Sequence, residues 1–523
     1  MSRAYPMLAR RGFVVPTRLK AAAYESASTG GARARSWKAS SAGPNAAAAQ
    51  NLPLMRHRAR DAIRNDPWAK AAITRLVSNT IGSGIQAHPR HPDEAMRNAQ
   101  KLLWEDSAEE IDEDGLFDMA GLQTLAARAF FSDGEVLVRR RLRSWHDGLA
   151  VPLQVQLLEA DHLPVSKNER LSHGEIVNGV EFDDDGRRIA YHLLTRHPGE
   201  YGRQAGDSTR TVRVPADEIA HVFLALRPGQ VRGVPELSTV LLRLHSLDNF
   251  DDAVLFRQEV SNLFAGFITK PHAELGPMGD PVSGASMRYD DDGFSPVVSL
   301  EPGGMQELAP GEEVKFSEPP GAGNDYVPFM RQQLMASAAS VGMPYEVLTG
   351  DLRDVSDRVL RVILNEFRRS VEQIQWNVFI HQFCRKVWRW WVDACALSGA
   401  MPMPNYFRRR RDYLRVRWVP QGWPYIHPVQ DVTAKRMEIR AGLASRTGAV
   451  LARGDDPEQV DAENAADLAR EQRLGLRYDT QLAMDDSNGS VLKEDGNETK
   501  PQVVGYPRAG AGGRRQGRRD PDL

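Results

Sequence analysis

The stretch PELSTVLLRLHSLDNFDDAVLFRQEVSNLF, residues 235–264, decides how the rest of the chain divides. Pro235 suits a first helical position, and Leu237, Leu241, Leu244 and Leu247 recur at helical spacing. One helix of about 30 residues follows, about 45 Å long at 1.5 Å per residue. Immediately after it the composition changes, for Gly and Pro fill 18 of the 61 positions from 265 to 325. Short β-prone pieces, Pro296–Leu300 and Glu313–Phe316, interrupt the turns, so a compact β insertion is expected rather than a linker. From Tyr326 a returning helix carries Phe329, Leu334, Ala338 and Val341 up to the break at Gly342-Met343-Pro344.

Upstream, a helical pattern runs from Leu54 to Asn65, and Asp66-Pro67 starts a second helix with Trp68, Ala72, Leu76 and Thr80 on one face, stopped by Gly82 and Gly84. Leu116–Phe131 repeats the helical pattern, and Asp133-Gly134 turns into an alternating strand, Glu135–Arg141. Leu153, Val155 and Leu157 mark another strand. Val180–Phe182 and Ile189–Leu193 form a hairpin signature around Asp184-Asp185-Gly186, and Thr211–Val214 and Ile219–Phe223 complete a mixed region ending near residue 230.

Downstream, Gly350–Val355 reads as a polar loop. Ser356 starts the longest helix, to about Leu397, with Val359, Ile363, Phe367, Ile374, Val378, Val387 and Trp391 as its buried stripe. Trp376, Trp388, Trp390 and Trp391 read as packing anchors. Residues 401–407 form a Pro-rich turn, Arg408–Arg411 an exposed basic loop or a phosphate-binding patch, and Tyr413–Val419 a strand. Helices resume over Val429–Arg440 and Pro457–Arg473; the glycines between them, Gly442 and Gly448, give only a weak helix-turn-helix signal.

A chain of 523 residues suggests three or four packed units, and 41% hydrophobic with 26% charged residues is an ordinary globular composition. No run approaches the ~18 apolar residues of a membrane span, and no apolar signal region opens the sequence. Cys384 and Cys395 are the only cysteines, too far apart on one helix to bridge. The net charge of −2 conceals a partition. Residues 1–50 carry +7 and 499–523 carry +4, which leaves −13 on the body between them. Two solvated basic arms therefore flank an acidic mass.

Reactive signatures are missing: no phosphate-binding G-x-x-x-x-G-K-[ST], no H-E-x-x-H, no G-x-S-x-G, no C-x-x-C. Glu159, Asp161 and His162 could be drawn as metal ligands, but they converge only if a turn folds them together, and a surface turn is the expectation. His57, Arg58 and Arg60 read as a charged helix face, with phosphate contact as the alternative. No catalytic residue, cofactor or metal is expected.

The order of elements and several strings resemble the lambda-type family of tailed-bacteriophage portal proteins. The strings are Arg58-Ala59-Arg60-Asp61 through Asn65-Asp66-Pro67-Trp68, Gly134-Glu135-Val136, Arg227–Pro235, Leu348-Thr349-Gly350-Asp351, Glu366-Phe367-Arg368-Arg369, and Gln382-Phe383-Cys384 with Val387-Trp388. The resemblance spans roughly residues 50–475.

It implies an α+β fold with an α/β wing, long stem helices, a β-rich clip insertion and a helical crown. On that template 1–50 is a basic flexible arm, 51–233 the wing, 234–264 a stem helix, 265–325 the clip and 326–344 the second stem helix. Residues 345–357 are the tunnel loop, 358–400 the long wing helix, 401–475 the crown and 476–523 a flexible basic tail.

The implied function is a homo-oligomeric ring, typically of twelve subunits, at one capsid vertex of a virion, assembled in the host cytoplasm and without a membrane. Double-stranded DNA would pass through it in packaging, retention and ejection. The implied partners are the terminase large subunit, the major capsid and scaffold proteins and a head–tail adaptor. Channel contacts fall to Asp351, Arg353, Asp354, Asp357 and Arg358, and motor docking to Glu274, Asp280, Arg288, Asp290, Asp291 and Asp292. Two other classes stay open on the residues alone: a metal-dependent DNA-processing enzyme using Glu159 and Asp161, and a monomeric DNA-binding regulator using the C-terminal helices and basic arms.

Overall fold

The computed structural model describes residues 40–200, 210–263, 267–268, 306–307, 326–353, 355–425 and 427–476. In chain order the helices are α1 (Pro44–Asn65), α2 (Pro67–Thr80), α3 (Glu94–Glu109), α4 (Met119–Asp133), α5 (Leu241–Leu263), α6 (Tyr326–Ser340), α7 (Tyr345–Thr349), α8 (Asp357–Ile374), α9 (Arg385–Ser398), α10 (Tyr406–Tyr413), α11 (Pro428–Arg440), α12 (Arg446–Leu451) and α13 (Pro457–Leu474). A π-helical segment, Gln375–Cys384, joins α8 to α9.

The strands are β1 (Gln86–Pro89), β2 (Glu135–Leu142), β3 (Leu153–Leu158), β4 (Glu169–Arg170), β5 (Glu175–Val177), β6 (Val180–Phe182), β7 (Arg188–Leu194), β8 (Thr211–Pro215), β9 (Ile219–Phe223), β10 (Phe267–Ile268), β11 (Gln306–Glu307) and β12 (Val416–Val419). Residues up to Gly454 form one compact unit, and those from Asp455 form a second.

Local chemistry accounts for many boundaries. Asp66 accepts from the backbone N–H of Trp68 and Ala69 at 2.7 and 3.0 Å while Pro67 fills the next position, so α2 starts where the sequence places it. α1 begins ten residues before Leu54, inside the segment read as a flexible arm. Pro44 sits at its N-terminus, the Ala46–Ala49 run is strongly helix-forming, and Ala48 and Leu52 are buried. α4 begins later than expected because the Asp112 carboxylate holds Leu116 and Phe117 in a turn, and Asp118 then caps the helix. The sequence reading had omitted β1 and α3 altogether.

Over residues 135–223, β3-β2-β9 form an antiparallel three-stranded sheet and β4 to β8 an antiparallel meander of five. β2 separates two cores. Val136 and Val138 face a large cluster with Leu122, Phe130, Phe379, Trp388 and Trp391, whereas Leu137 faces a smaller one with Leu163, Tyr191, Leu193 and Val214. Trp104 packs edge-on against Trp388 and Trp391, each at 5.2 Å between centroids. Gln382 caps the edge of β9 by exchanging both hydrogen bonds with the Phe223 backbone.

Several expectations need correction. Trp376 is 46% exposed and no packing anchor, while Trp388, Trp390 and Trp391 are buried. The long helix is buried only from Phe367 onward; Val359 and Val362 are exposed. Arg408–Arg411 lie in α10, not in a loop: Arg410 pairs with Asp393 at 2.8 Å and Arg409 with Asp412 at 3.2 Å. Part of the stretch 401–419, which the template gives to the crown, packs into the large core cluster. Tyr406, Tyr413 and Trp418 join the large cluster, and β12 pairs with β1 in the register Gln86↔Val419. The clip reading can be followed only at β10 and β11, a parallel pair; Glu274, Asp280, Arg288 and Asp290–Asp292 lie outside the described residues, as does Asp354.

Candidate functional site

α7 ends at Gly350, whose φ of +75° allows the sharp exit into the loop. The next residue, Asp351, accepts from the Tyr345 hydroxyl at 3.1 Å and from both Nε and Nη2 of Arg353 at 2.8 Å. Those bonds to Arg353 hold the Asp351 carboxyl well below its usual range. Arg353 is thus neutralised by its own loop instead of standing as a free cation. Asp357 lies within 2.5 Å of Nε2 of His427, which ties the start of α8 to the start of α11. His427, which the sequence reading had not chosen, also donates its backbone N–H to Asp431. Arg358 is exposed and has no ion pair among the described residues.

Of the proposed channel residues, then, the structure gathers Asp351 with Arg353 and attaches Asp357 elsewhere. Leu352, Val359 and Val362 are all more than half exposed. α5 shows the same exposure on a larger scale. Leu241, Leu244 and Leu247 are buried, but no residue from Asp248 to Glu259 is, although Phe250, Leu255 and Phe256 lie among them. Met330 and Leu334 of α6 and Tyr345 of α7 close a small cluster on Leu247, and Phe250 packs on the rings of Tyr326 and Phe329 of α6 at 6.3 and 5.1 Å.

The densest polar constellation lies in the wing. Glu135 is fully buried and accepts from Arg56 Nη2 at 2.7 Å, Arg232 Nε at 2.8 Å, His221 Nε2 at 3.0 Å and the Gly233 backbone N–H at 2.7 Å. The two guanidiniums keep its carboxyl far below the ordinary range despite the burial. Burial conversely pushes the His221 imidazole down. Its Nδ1 has no partner, so it fits the neutral tautomer that donates through Nε2. Arg56 also donates to the Asp133 carbonyl, and Arg232 to the carbonyls of Asn178 and Ala160.

Glycine makes this meeting possible. Gly134 has φ +87°, and a Cβ there would lie 2.2 Å from the Val234 carbonyl carbon; a Cβ on Gly233 would lie 2.0 Å from the Gly134 oxygen. The strings Gly134-Glu135-Val136 and Arg232-Gly233-Val234 are therefore two halves of one joint. The readable signal was an acidic residue at an inward strand position.

Glu159 and Asp161 do converge, through a 3-10 turn, but the third group is His197 and not His162. Arg60 fills the centre: it binds Asp161 at 2.5 Å, Glu159 at 3.3 Å and Asp133 at 2.7 Å. Its charge already pairs with two of the three groups, and Arg60, 21% exposed, is a bridge between these carboxylates instead of part of a solvated helix face.

Residues 30–375 match the family model described as phage portal protein, lambda family. The chain is 28% identical over 469 residues to a probable portal protein of Halomonas phage phiHAP-1, spanning 86% of this chain and 87% of that one. It is 21% identical over 489 residues to portal protein B of Escherichia phage lambda, spanning 86% and 89%. A solved structure, the neck of an empty GTA particle, covers 78% of this chain and 94% of its own at 12% identity and TM-score 0.39, a likeness too loose to carry an argument.

Proposed function

Because the chain belongs to the lambda family of phage portal proteins, we propose that its copies close side by side around an axis and that the opening they enclose conducts double-stranded DNA. The family's role is structural and not enzymatic, its members form ring oligomers, and the protein is a component of the virion particle. No described helix is long and apolar enough to cross a membrane.

The observation that carries the proposal is the outer half of α5. Phe250, Leu255 and Phe256 are 39, 62 and 67% exposed on a helix that buries none of its residues from Asp248 to Glu259. An amphipathic helix draws most of its stability from packing, so a neighbouring stem is the natural cover. Head-to-tail repetition of such a contact closes into a ring when the rotation permits. α11 and α12 likewise have no buried residue, and in the ring they would line a crown.

The acidic body suits a conduit. Duplex DNA carries one charge per ~1.7 Å of axis, so a strongly basic lumen would grip it, whereas an acidic wall holds it off. The tunnel loop, 345–357, carries four acids against Arg353 alone, which Asp351 neutralises, so the loop shares the acidic character of the body and leaves Arg358 for brief phosphate contacts. In this reading residues 265–325 face the terminase large subunit during packaging and a head–tail adaptor afterwards, capsid and scaffold proteins hold the rim, and assembly takes place in the host cytoplasm.

Sedimentation and particle imaging of the purified protein provide the test. Hollow rings of uniform copy number, typically twelve, are expected. A stable 58 kDa monomer under all salt conditions would end the proposal.

A further inference from the structure

β2 carries an anomaly that neither the fold nor the ring requires. On its face toward the five-stranded sheet, Leu137 belongs to the inter-sheet core, and the next two positions on that face are Arg139 and Arg141. Both line a cavity of about 190 Å³, with Gln156, Leu193 and Val212 among its walls. At ~30 Å³ per water, that is room for roughly six waters or one compact solute.

The charges around it do not balance. Arg141 and Arg143 share Glu113 at 3.0 and 3.2 Å, and Arg140, on the opposite face, has Glu218 at 3.6 Å. Nearby Glu159 and Asp161 are held by Arg60. Arg139 has no ion pair among the described residues, and its Nε, shielded from solvent, has no hydrogen-bond acceptor. Burial and the charge of Arg141 disfavour its cationic form more than the neighbouring Glu218 and Glu113 favour it. A half-buried guanidinium with a donor aimed at nothing is costly, and an anion in the cavity would relieve it.

We propose that this seam is a binding site for a compact oxyanion of the phosphate class, held by Arg139 and Arg141 and supported by the Gln156 amide across the strand pair. Two guanidiniums two residues apart can each take separate oxygens of a tetrahedral anion, whereas a carboxylate is satisfied by one planar fork. The same chemistry is offered by free phosphate and by the phosphodiester of a nucleic-acid strand. The site lies within the wing and does not depend on ring closure.

Thermal unfolding of the full-length protein tests it, in inorganic phosphate, a dithymidine phosphodiester or acetate, each against chloride at matched ionic strength. A saturable rise in Tm with phosphate is expected, absent in Arg139→Gln and weakened in Gln156→Ala, with Tm in chloride unchanged or higher in Arg139→Gln. A rise with the phosphodiester as well assigns the site to nucleic-acid backbone; a rise with inorganic phosphate alone assigns it to the free ion. The proposal falls if phosphate has no saturable effect, if acetate matches it, or if Arg139→Gln responds as the parent does. Should Arg139→Gln not fold, broadening of the phosphate ³¹P resonance by the parent, reduced in Gln156→Ala, supports the site, and equal broadening in both overturns it.

Discussion

The wing and the stem helices dispose of charge and apolar surface in opposite ways. The wing brings three charged side chains into a dry interior and makes them satisfy one another, while α5 leaves phenylalanine and leucine in solvent. A polar group tolerated inside a chain indicates an interaction completed within that chain. Single apolar side chains are commonly exposed, but several large ones close together on one helix suit contact with another molecule. The Glu135 joint is thus complete within one chain, whereas the exposed side chains of α5 are covered only in the ring proposed above.

The sharpest way to break this contrast is Glu135→Ala. It strands the Arg56 and Arg232 guanidiniums in a site with no other acid touching both, and a loss of about 3–5 kcal/mol is expected for such a buried pair. Denaturant unfolding measures it; a loss under 1 kcal/mol would mean that the joint is ornamental. On the stem side, Phe256→Asp should abolish rings in sedimentation while leaving the circular dichroism and unfolding midpoint of the subunit unchanged. If the subunit itself melts, the α5 surface is core in disguise and the contrast is lost.

Acid should reach the wing first through His221. Its folded-state pKa is depressed by burial, so between that value and the ordinary ~6.5 the unfolded chain binds the extra proton and stability falls as pH falls. Glu135, also depressed, contributes fully above the ordinary carboxyl range and is lost only as pH drops toward its folded value. Unfolding midpoints at pH 7.5 and 5.5 should therefore separate in the parent and converge in His221→Gln. The smallest change expected is Asp357→Asn, which removes a pair whose side chains are 61 and 40% exposed; about 0–1 kcal/mol is its range. A larger loss would make the α8–α11 tie part of the core.

Legibility followed the range of the interactions. The Asp66-Pro67 start of α2, the β6–β7 hairpin around Asp184-Asp185-Gly186 and the Ser356 cap of α8 were all readable, because each is fixed by neighbours a few residues away. Trp376 and Val359 were misjudged for the complementary reason: periodicity names a face, but only packing says how far along the helix that face stays covered. His197 entered the Glu159–Asp161 cluster unannounced, being 36 positions beyond Asp161 in sequence.

The sequence by itself determined the succession of strands and helices and the family whose strings the chain carries, since caps, turns and periodic patterns act within a few residues. Tertiary structure alone decided that Arg56, His221, Arg232 and Gly233 meet on Glu135, from 79, 86, 97 and 98 residues away. No local rule pairs charges across such distances. The pairing follows from excluding water from the joint, where an unmatched charge cannot remain.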